Sequence, residues 1–504
     1  MLDSGRERVA LTVVRALPIL RWIALILGAL GVAALLALGF TTDANVAAIF
    51  ADFGIALLAL AVSAGVLRGA IRIRMGLRHS DKSYDAASQL QVGRCASSKW
   101  WALLVLVIAV AATISWFEPG TVFAGGDDTP PVGLAWISHL FDAWAWTGSN
   151  LGQPNTYQGT LPWAAMLEAV HWLGGSAGMA QQIWFTVLFA GGGVGAFGLL
   201  RLLRIAPAAA FAGALAYLFN PYVLSFVNNN PVFLATMAAV AAVGCCVAGV
   251  GSGRLTRRVG TILIALISPL QGYAFANPPT LLVFIGAAVV TSVACYVVYG
   301  REGLDRCLRL ACWAIPLFVL VSAYWLVPDL IASTWAATSQ LNPLATWTWT
   351  EIRSTLANAF WLNTQWSWKF KWFFPFESEY GHFPMLLLRY LLPVTAFAAV
   401  PLAFTSARRQ LASRGLVLLA AGMALLLIFI STGTRAPGDV LFNPLYSLPL
   451  GWLLREPERF LLGAALAYAI LLAVTVQALA GLVGGLPSPR AFWRTWTVPQ
   501  GAMA

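Results

Sequence analysis

The sequence predicts an all-α polytopic membrane protein with about twelve transmembrane helices. Three observations predict it. Of 504 residues only 10% are charged and 59% are hydrophobic, where a soluble domain carries roughly 25% charged residues. Apolar runs of about 18–22 residues recur along the chain, the length that spans a hydrocarbon core. Lys and Arg are present in every second connection between those runs, the pattern of cytoplasmic loops. The net charge of +11 therefore marks chiefly the cytoplasmic loops, although the long loops 331–384 and 433–458 also hold some cations, and no nucleic-acid-reading motif accompanies it.

In chain order the spans are predicted at 22–40, 51–68, 101–117, 182–200, 207–225, 232–250, 259–276, 281–299, 311–330, 385–404, 415–432 and 459–481. Residues 1–21 read as a cytoplasmic tail before an uncleaved first span. The first two spans precede a basic segment holding Arg72, Arg74, Arg78, Lys82, Arg94 and Lys99. Residues 1–100 are thus an N-terminal hairpin with a cytoplasmic linker. Residues 101–484 are the core, and 485–504 a cytoplasmic tail. Arg201 and Arg204, then Arg254, Arg257 and Arg258, then Arg301, Arg306 and Arg309, then Arg408, Arg409 and Arg414 mark inner connections. Loop 118–181 has no Lys or Arg at all. With loops 331–384 and 433–458 it forms the outer face, and both termini lie inside. The cysteines fall in spans or in basic segments, so no disulfide or metal cluster is expected. The four histidines have no ligand spacing, so no metal is assigned.

The outer loops carry the chemistry. GGDDTPP places Asp127 and Asp128 about ten residues beyond a span, at the membrane–water boundary. A carboxylate there can take a proton from a hydroxyl as general base; equally, it can cap a helix or solvate a loop. Leu134, Ile137, Leu140, Phe141, Trp144 and Trp146 follow at the spacing of a helix lying on the membrane. Loop 331–384 holds seven tryptophans, with Trp347, Trp349 and Trp366 interleaved among amides, Glu351, Glu377 and His382. Flat aromatic faces beside hydrogen-bonding groups suit sugar rings, although tryptophan also anchors helices at the interface. Asn228 lies in the outer turn FNPYVLSFVNNNPVF, where an amide can line an acceptor groove or satisfy turn backbone. In the last outer loop Arg455 and Arg459 stand four apart, sharing one face if helical, with Arg435 upstream. Paired guanidinium groups suit a lipid phosphate; ion pairing with Glu456 or Glu458 is the competing use. No phosphate-cradling glycine loop or nucleotide fingerprint occurs, so an activated sugar at this face is lipid-linked.

Acidic motif, juxtamembrane helix, many spans and late arginine motif together resemble the GT-C superfamily of membrane glycosyltransferases. More narrowly, GGDDTPPVGL, QPNTYQGTLPW, AYLFNPYVLSF and LLREPERF, in that order over roughly 100–480, resemble the mycobacterial and actinobacterial α-(1→3)-arabinofuranosyltransferases. The resemblance implies a GT-C-like core with juxtamembrane helices on the outer face. It implies inverting transfer of arabinofuranose from a polyprenyl-phosphate donor to cell-wall arabinan or a lipoglycan, such as arabinogalactan or lipoarabinomannan. In the family the catalytic acid precedes a Thr-like residue, which favours Asp128, followed by Thr129, over Asp127. Many members are far longer, with carbohydrate-binding domains after the spans, whereas this sequence stops at 504, which leaves the sugar and acceptor open.

The expected protein is thus a multi-pass plasma-membrane transferase needing no cofactor or metal. Its partners are membrane lipid, a polyprenyl-phosphate sugar, a glycan acceptor and other cell-wall biosynthesis proteins, with no nucleic acid. Two alternatives stand beside it. One is a mannosyl or other hexosyl transferase using the same donor type. The other is a lipid-linked sugar transporter or flippase, which would need polar groups near the bilayer midplane; the predicted spans hold almost none.

Overall fold

The computed structural model describes residues 18–34, 57–58, 60–65, 67–68, 95–118, 120–122, 139–142, 144–145, 153–154, 157–229, 232–275, 277–338, 348–369, 382, 385–404, 414–448 and 451–484. Within them the fold is helical, apart from one antiparallel pair. In order the helices are α1 (Pro18–Ala34), α2 (Cys95–Ser115), α3 (Leu161–Trp172), α4 (Ala177–Leu202), α5 (Pro207–Leu218), α6 (Pro221–Asn229), α7 (Val232–Gly251) and α8 (Arg257–Phe275). There follow α9 (Pro278–Tyr299), α10 (Arg301–Thr338), α11 (Leu356–Phe360), α12 (Met385–Phe397), α13 (Ala399–Leu402), α14 (Arg414–Ser431), α15 (Asp439–Tyr446) and α16 (Leu461–Gly484).

Seven of these helices are long and apolar enough to cross a membrane, eight if the bent pair α5–α6 is one span. Large apolar side chains stand on their outer surfaces, including Ile315, Leu320 and Val289. So much exposed apolar surface is stable in hydrocarbon and not in water; the chain is a polytopic membrane protein. Twelve spans are not reached among the described residues. The spans predicted at 22–40 and 385–404 appear as shorter apolar helices, Pro18–Ala34 and Tyr390–Leu402.

Helix α7 lies at the centre, with 89% of its spanning window buried. Small residues allow this close packing, as is usual where lipid gives helices no hydrophobic drive to associate. A side chain at Gly195 on α4 would press on the Ala241 backbone of α7, and one at Gly213 on α5 would press on the Ala469 carbonyl of α16. Helix α1 docks on the core: Arg21 Nε donates to the Phe404 carbonyl at 2.9 Å.

Three segments differ from the sequence expectation. The span predicted at 207–225 is broken by 49° between Pro207–Leu218 and Pro221–Val227. Asn220 makes the corner: its Nδ2 donates to the Tyr217 carbonyl at 2.7 Å, and its Oδ1 accepts from Val223 N at 3.0 Å. Pro221 has no N–H to continue the first helix and opens the second instead. Second, α10 runs without interruption through 38 residues, about 57 Å at roughly 1.5 Å per residue. The basic stretch after Gly300 is therefore its first turns, and the helix continues to Thr338, into the region expected to be loop. Third, Trp144 is not helical. Trp144–Ala145 pairs antiparallel with Gln153–Pro154, Trp144 opposite Pro154.

Candidate functional site

At the N-terminal ends of α9 and α16, segments distant in sequence converge. The predicted phosphate-binding pair sits here, but not on one helical face. Arg455 lies between two 3₁₀ turns, Gly451–Leu454 and Pro457–Phe460. Between the arginines Glu456 adopts a left-handed backbone, φ 59° and ψ 60°, a conformation costing a non-glycine residue roughly 1–3 kcal/mol. The kink breaks the helical run between the arginines and gives them different surroundings.

Arg459 is buried, 5% exposed. Its Nε donates to Glu456 Oε2 at 2.9 Å and its Nη1 to Gln365 Oε1 at 3.4 Å; Glu458 Oε1 lies 3.7 Å away. Its guanidinium carbon stands 3.8 Å from the centre of the Phe233 ring, a cation–π contact. Glu456 Oε2 also accepts from Asn277 Nδ2 at 2.9 Å. Arg459, directly and through Glu456, thus joins the Pro457–Phe460 turn to Gln365 of the tryptophan-rich segment and to the starts of α7 and α9. Arg455 is half-buried beside Tyr446 and Glu456. Burial lowers its guanidinium from the ordinary value, and Glu456 opposes that.

Glu351 ends a 3₁₀ turn, Thr348–Glu351, and is 2% exposed. Its Oε2 accepts from Thr434 N at 2.9 Å and from the Thr434 hydroxyl. A side chain at Gly433, which has φ +61°, would overlap the Glu351 carboxylate and the Pro457 ring. Burial raises the Glu351 carboxyl above its ordinary value; the Thr434 hydrogen bonds and nearby Arg435 pull it back. Glu351 therefore ties the Thr348–Glu351 turn to the segment after α14. Arg435 is exposed.

Nearby segments are rich in buried polar atoms without a protein hydrogen-bond partner: Glu351 Oε1, Ser354 Oγ, Asn363 Oδ1, Thr364 Oγ1, Gln365 Nε2 and Ser367 Oγ. Buried polar groups need partners, and such a run suits water or a hydroxyl-rich ligand. Trp349 and Trp366 meet edge to face, centroids 5.0 Å apart, and Trp349 is 52% exposed. Trp361 and Trp368, by contrast, are buried, Trp361 edge-on against Tyr390. The 3₁₀ turn Trp366–Lys369 packs against α6, the helix that carries Asn228.

The structure brings together Arg455, Arg459, Arg435 and Glu351, and pairs Trp349 with Trp366. His382 is exposed. Asp127, Asp128, Trp347 and Glu377 lie outside the described residues. Further along segment 118–181, Tyr157–Thr160 is a 3₁₀ turn packed against α8 and α10, with Gln158 and Thr160 buried. Sequence reasoning missed Thr434 and Asn277 as partners of the acids. The glycine before Thr434 and the Asn-Pro-Pro before α9 were the available signals, since both mark chain reversals.

No family model matches the chain, and no curated protein matches it. Two solved structures of arabinofuranosyltransferase AftD from mycobacteria are similar to it. One, a substituted form, is 18% identical with a TM-score of 0.45, covering 79% of this chain and 26% of that one. The other is 19% identical with a TM-score of 0.42, covering 76% and 26%. This chain thus spans about a quarter of the length of those proteins. Both carry the enzyme class that the sequence motifs resemble, at a similarity too low to establish a shared fold or activity.

Proposed function

We propose that the chain is a GT-C-type membrane glycosyltransferase that moves arabinofuranose from a polyprenyl-phosphate donor to a cell-wall glycan or lipoglycan. On this reading it has about twelve spans, both termini inside and the site on the outer face; residues 1–100 are an accessory hairpin and 101–484 the catalytic core. An acceptor hydroxyl oxygen attacks the anomeric carbon as the bond from that carbon to the donor phosphate oxygen breaks. Asp128 takes the hydroxyl proton, with Asp127 as its neighbour. The freed polyprenyl phosphate carries the bonding pair away, its charge met by Arg455 and by Arg435. A fixed cation in a low-dielectric site does this without reorganisation. Arg459 acts through position, holding Glu456 and the kink that aims Arg455. Trp349, Trp366 and the partnerless polar atoms of 351–367 seat the sugars, while Trp347, Glu377, His382 and Asn228 are further contacts of the same kind.

The observation that carries the reading is the cluster at LLREPERF: a buried, fully engaged Arg459 beside a half-buried Arg455. The test is transfer from defined polyprenyl-phosphate sugars in detergent or nanodiscs. Asp128→Asn should cut transfer by about 10²–10⁴-fold while melting is unchanged. Near-full activity of that variant refutes the general base, and transfer from hexosyl donors alone refutes the pentose.

A further inference from the structure

Helices α8 and α10 pack side by side and run in the same direction. Their register is set by Ser268 and Ser322, whose hydroxyls share a hydrogen bond, and by Tyr324, whose hydroxyl donates to the Pro269 carbonyl at 3.4 Å. One turn on, a side chain at Gly272 would press on Trp325. Counted back from the serine pair at roughly 1.5 Å per residue, Arg257 lies about 17 Å away, Arg309 about 20 Å and Trp313 about 14 Å. The two arginines and the indole therefore share one level, near the N-terminal ends of both helices. Beyond that level charge stops. Helix α10 carries none from 310 to 328, and α8 none from 259 to 275. The first of these stretches rises about 28 Å, close to a hydrocarbon core about 30 Å thick. The headgroup layer thus passes through Arg257, Arg258 and Arg309.

The side chains at this level are arranged, not merely basic. Trp313 is 61% exposed, and the Arg257 guanidinium carbon stands 5.5 Å from the centre of its ring. Arg309 precedes Trp313 by four residues, on the same helix face; it is exposed, and its Nε donates to the Asp305 carbonyl at 3.3 Å. Among the described residues no carboxylate pairs with Arg257, Arg258 or Arg309, and the nearby acid Glu302 is taken by Arg306. Further into the uncharged stretch, Ile262 and Leu266 stand exposed on α8 and Leu320 on α10. Free cations, an exposed indole and open apolar side chains follow the order of a phospholipid: phosphate, glycerol, acyl chains. Segments 251–258 and 300–310 hold six arginines and two acids. That balance attracts a headgroup of net negative charge and offers little to the ammonium of a zwitterion.

We propose that the α8–α10 seam binds one anionic phospholipid, its phosphate between Arg257 and Arg309, its glycerol against Trp313 and its chains along Ile262, Leu266 and Leu320. The seam lies at the other end of α8 from Asn277 and the arginine cluster, so the proposal does not rest on the transfer reaction.

The test is native mass spectrometry of the full chain in detergent, titrated with dioleoylphosphatidylglycerol or with dioleoylphosphatidylcholine, which has the same chains and phosphate but no net charge. One copy of phosphatidylglycerol should be held about tenfold more tightly or better. Arg257→Gln and Arg309→Gln should each weaken it about fivefold, the worth of one cation at an anionic membrane surface, and together about twenty-five-fold. Arg301→Gln removes the same charge about 12 Å further along α10 and should leave binding unchanged. If the double variant does not fold, the single variants carry the test. Equal retention of the two lipids overturns the proposal. So does an equal loss in Arg301→Gln, which would mark diffuse attraction to a basic surface. Displacement of phosphatidylglycerol by inorganic phosphate at the same concentration would mark a bare phosphate site and also overturn the lipid seat. Binding is read without turnover, so failure of the proposed transfer leaves this result standing, and the reverse holds.

Discussion

Arg455 and Arg459 show how burial divides two identical side chains. Arg459 is enclosed by Glu456, Glu458, Gln365 and Phe233, so its charge is spent inside the protein. Removing one member of a buried pair leaves an uncompensated charge. Arg459→Ala should therefore lower stability by about 3–5 kcal/mol, read as a fall in melting temperature. Arg455→Ala should leave melting nearly unchanged and raise KM or lower kcat for the lipid donor; a large loss of stability with normal kinetics would exchange the two roles. Glu351 gives a pH prediction. Burial raises its folded carboxyl value above the ordinary one, so between the two values the native state binds the extra proton. Stability from this group is present below the ordinary carboxylate value and is lost as pH rises through the folded value. Melting followed against pH should show that decline in the parent chain and a flatter line in Glu351→Gln, whose amide oxygen can still accept from Thr434. From sequence, the residue types were legible as phosphate- and sugar-binding candidates. Their division was not, because which arginine meets Glu456 depends on the left-handed backbone at that residue, and the chain spacing of four suggested a shared helical face.

Among the elements, the long apolar helices were readable because a run of apolar residues has one stable solution in lipid, a helix with its backbone hydrogen bonds closed. Their ends and bends were less so. Hydropathy continues smoothly across FNPYV, so the break between α5 and α6 is invisible to it, although Asn-Pro is itself a turn signal. The break is held by the two Asn220 side-chain hydrogen bonds. Asn220→Ala should cost about 1 kcal/mol, as for loss of a helix cap. Because α6 packs on the Trp366–Lys369 turn, the same change should also weaken sugar binding; unchanged acceptor KM would separate α6 from the site. The start of α10 misled in the opposite direction. Arg301, Glu302, Asp305 and Arg306 look like a loop, but Glu302 and Arg306 are four apart on one helix face and pair there.

For the whole molecule, the class of solvent was settled by composition: a chain with 10% charged residues and long apolar runs folds in a bilayer whatever its topology. Hydropathy and positive charge also supplied an order of spans and an expected outer face, and short motifs supplied candidate acids, arginines and tryptophans. All of these are local properties, readable within a window of some twenty residues. Only the tertiary structure decided that Glu351 meets Thr434, that Arg459 meets Gln365 and Glu456 meets Asn277, that Trp349 meets Trp366 while Trp368 goes to the core, and that α9, α14 and α16 leave a cleft between them. The physical reason is separation. These partners lie tens to hundreds of residues apart, and their meeting is fixed by how closely the small-residue faces of the helices pack, which no local pattern encodes.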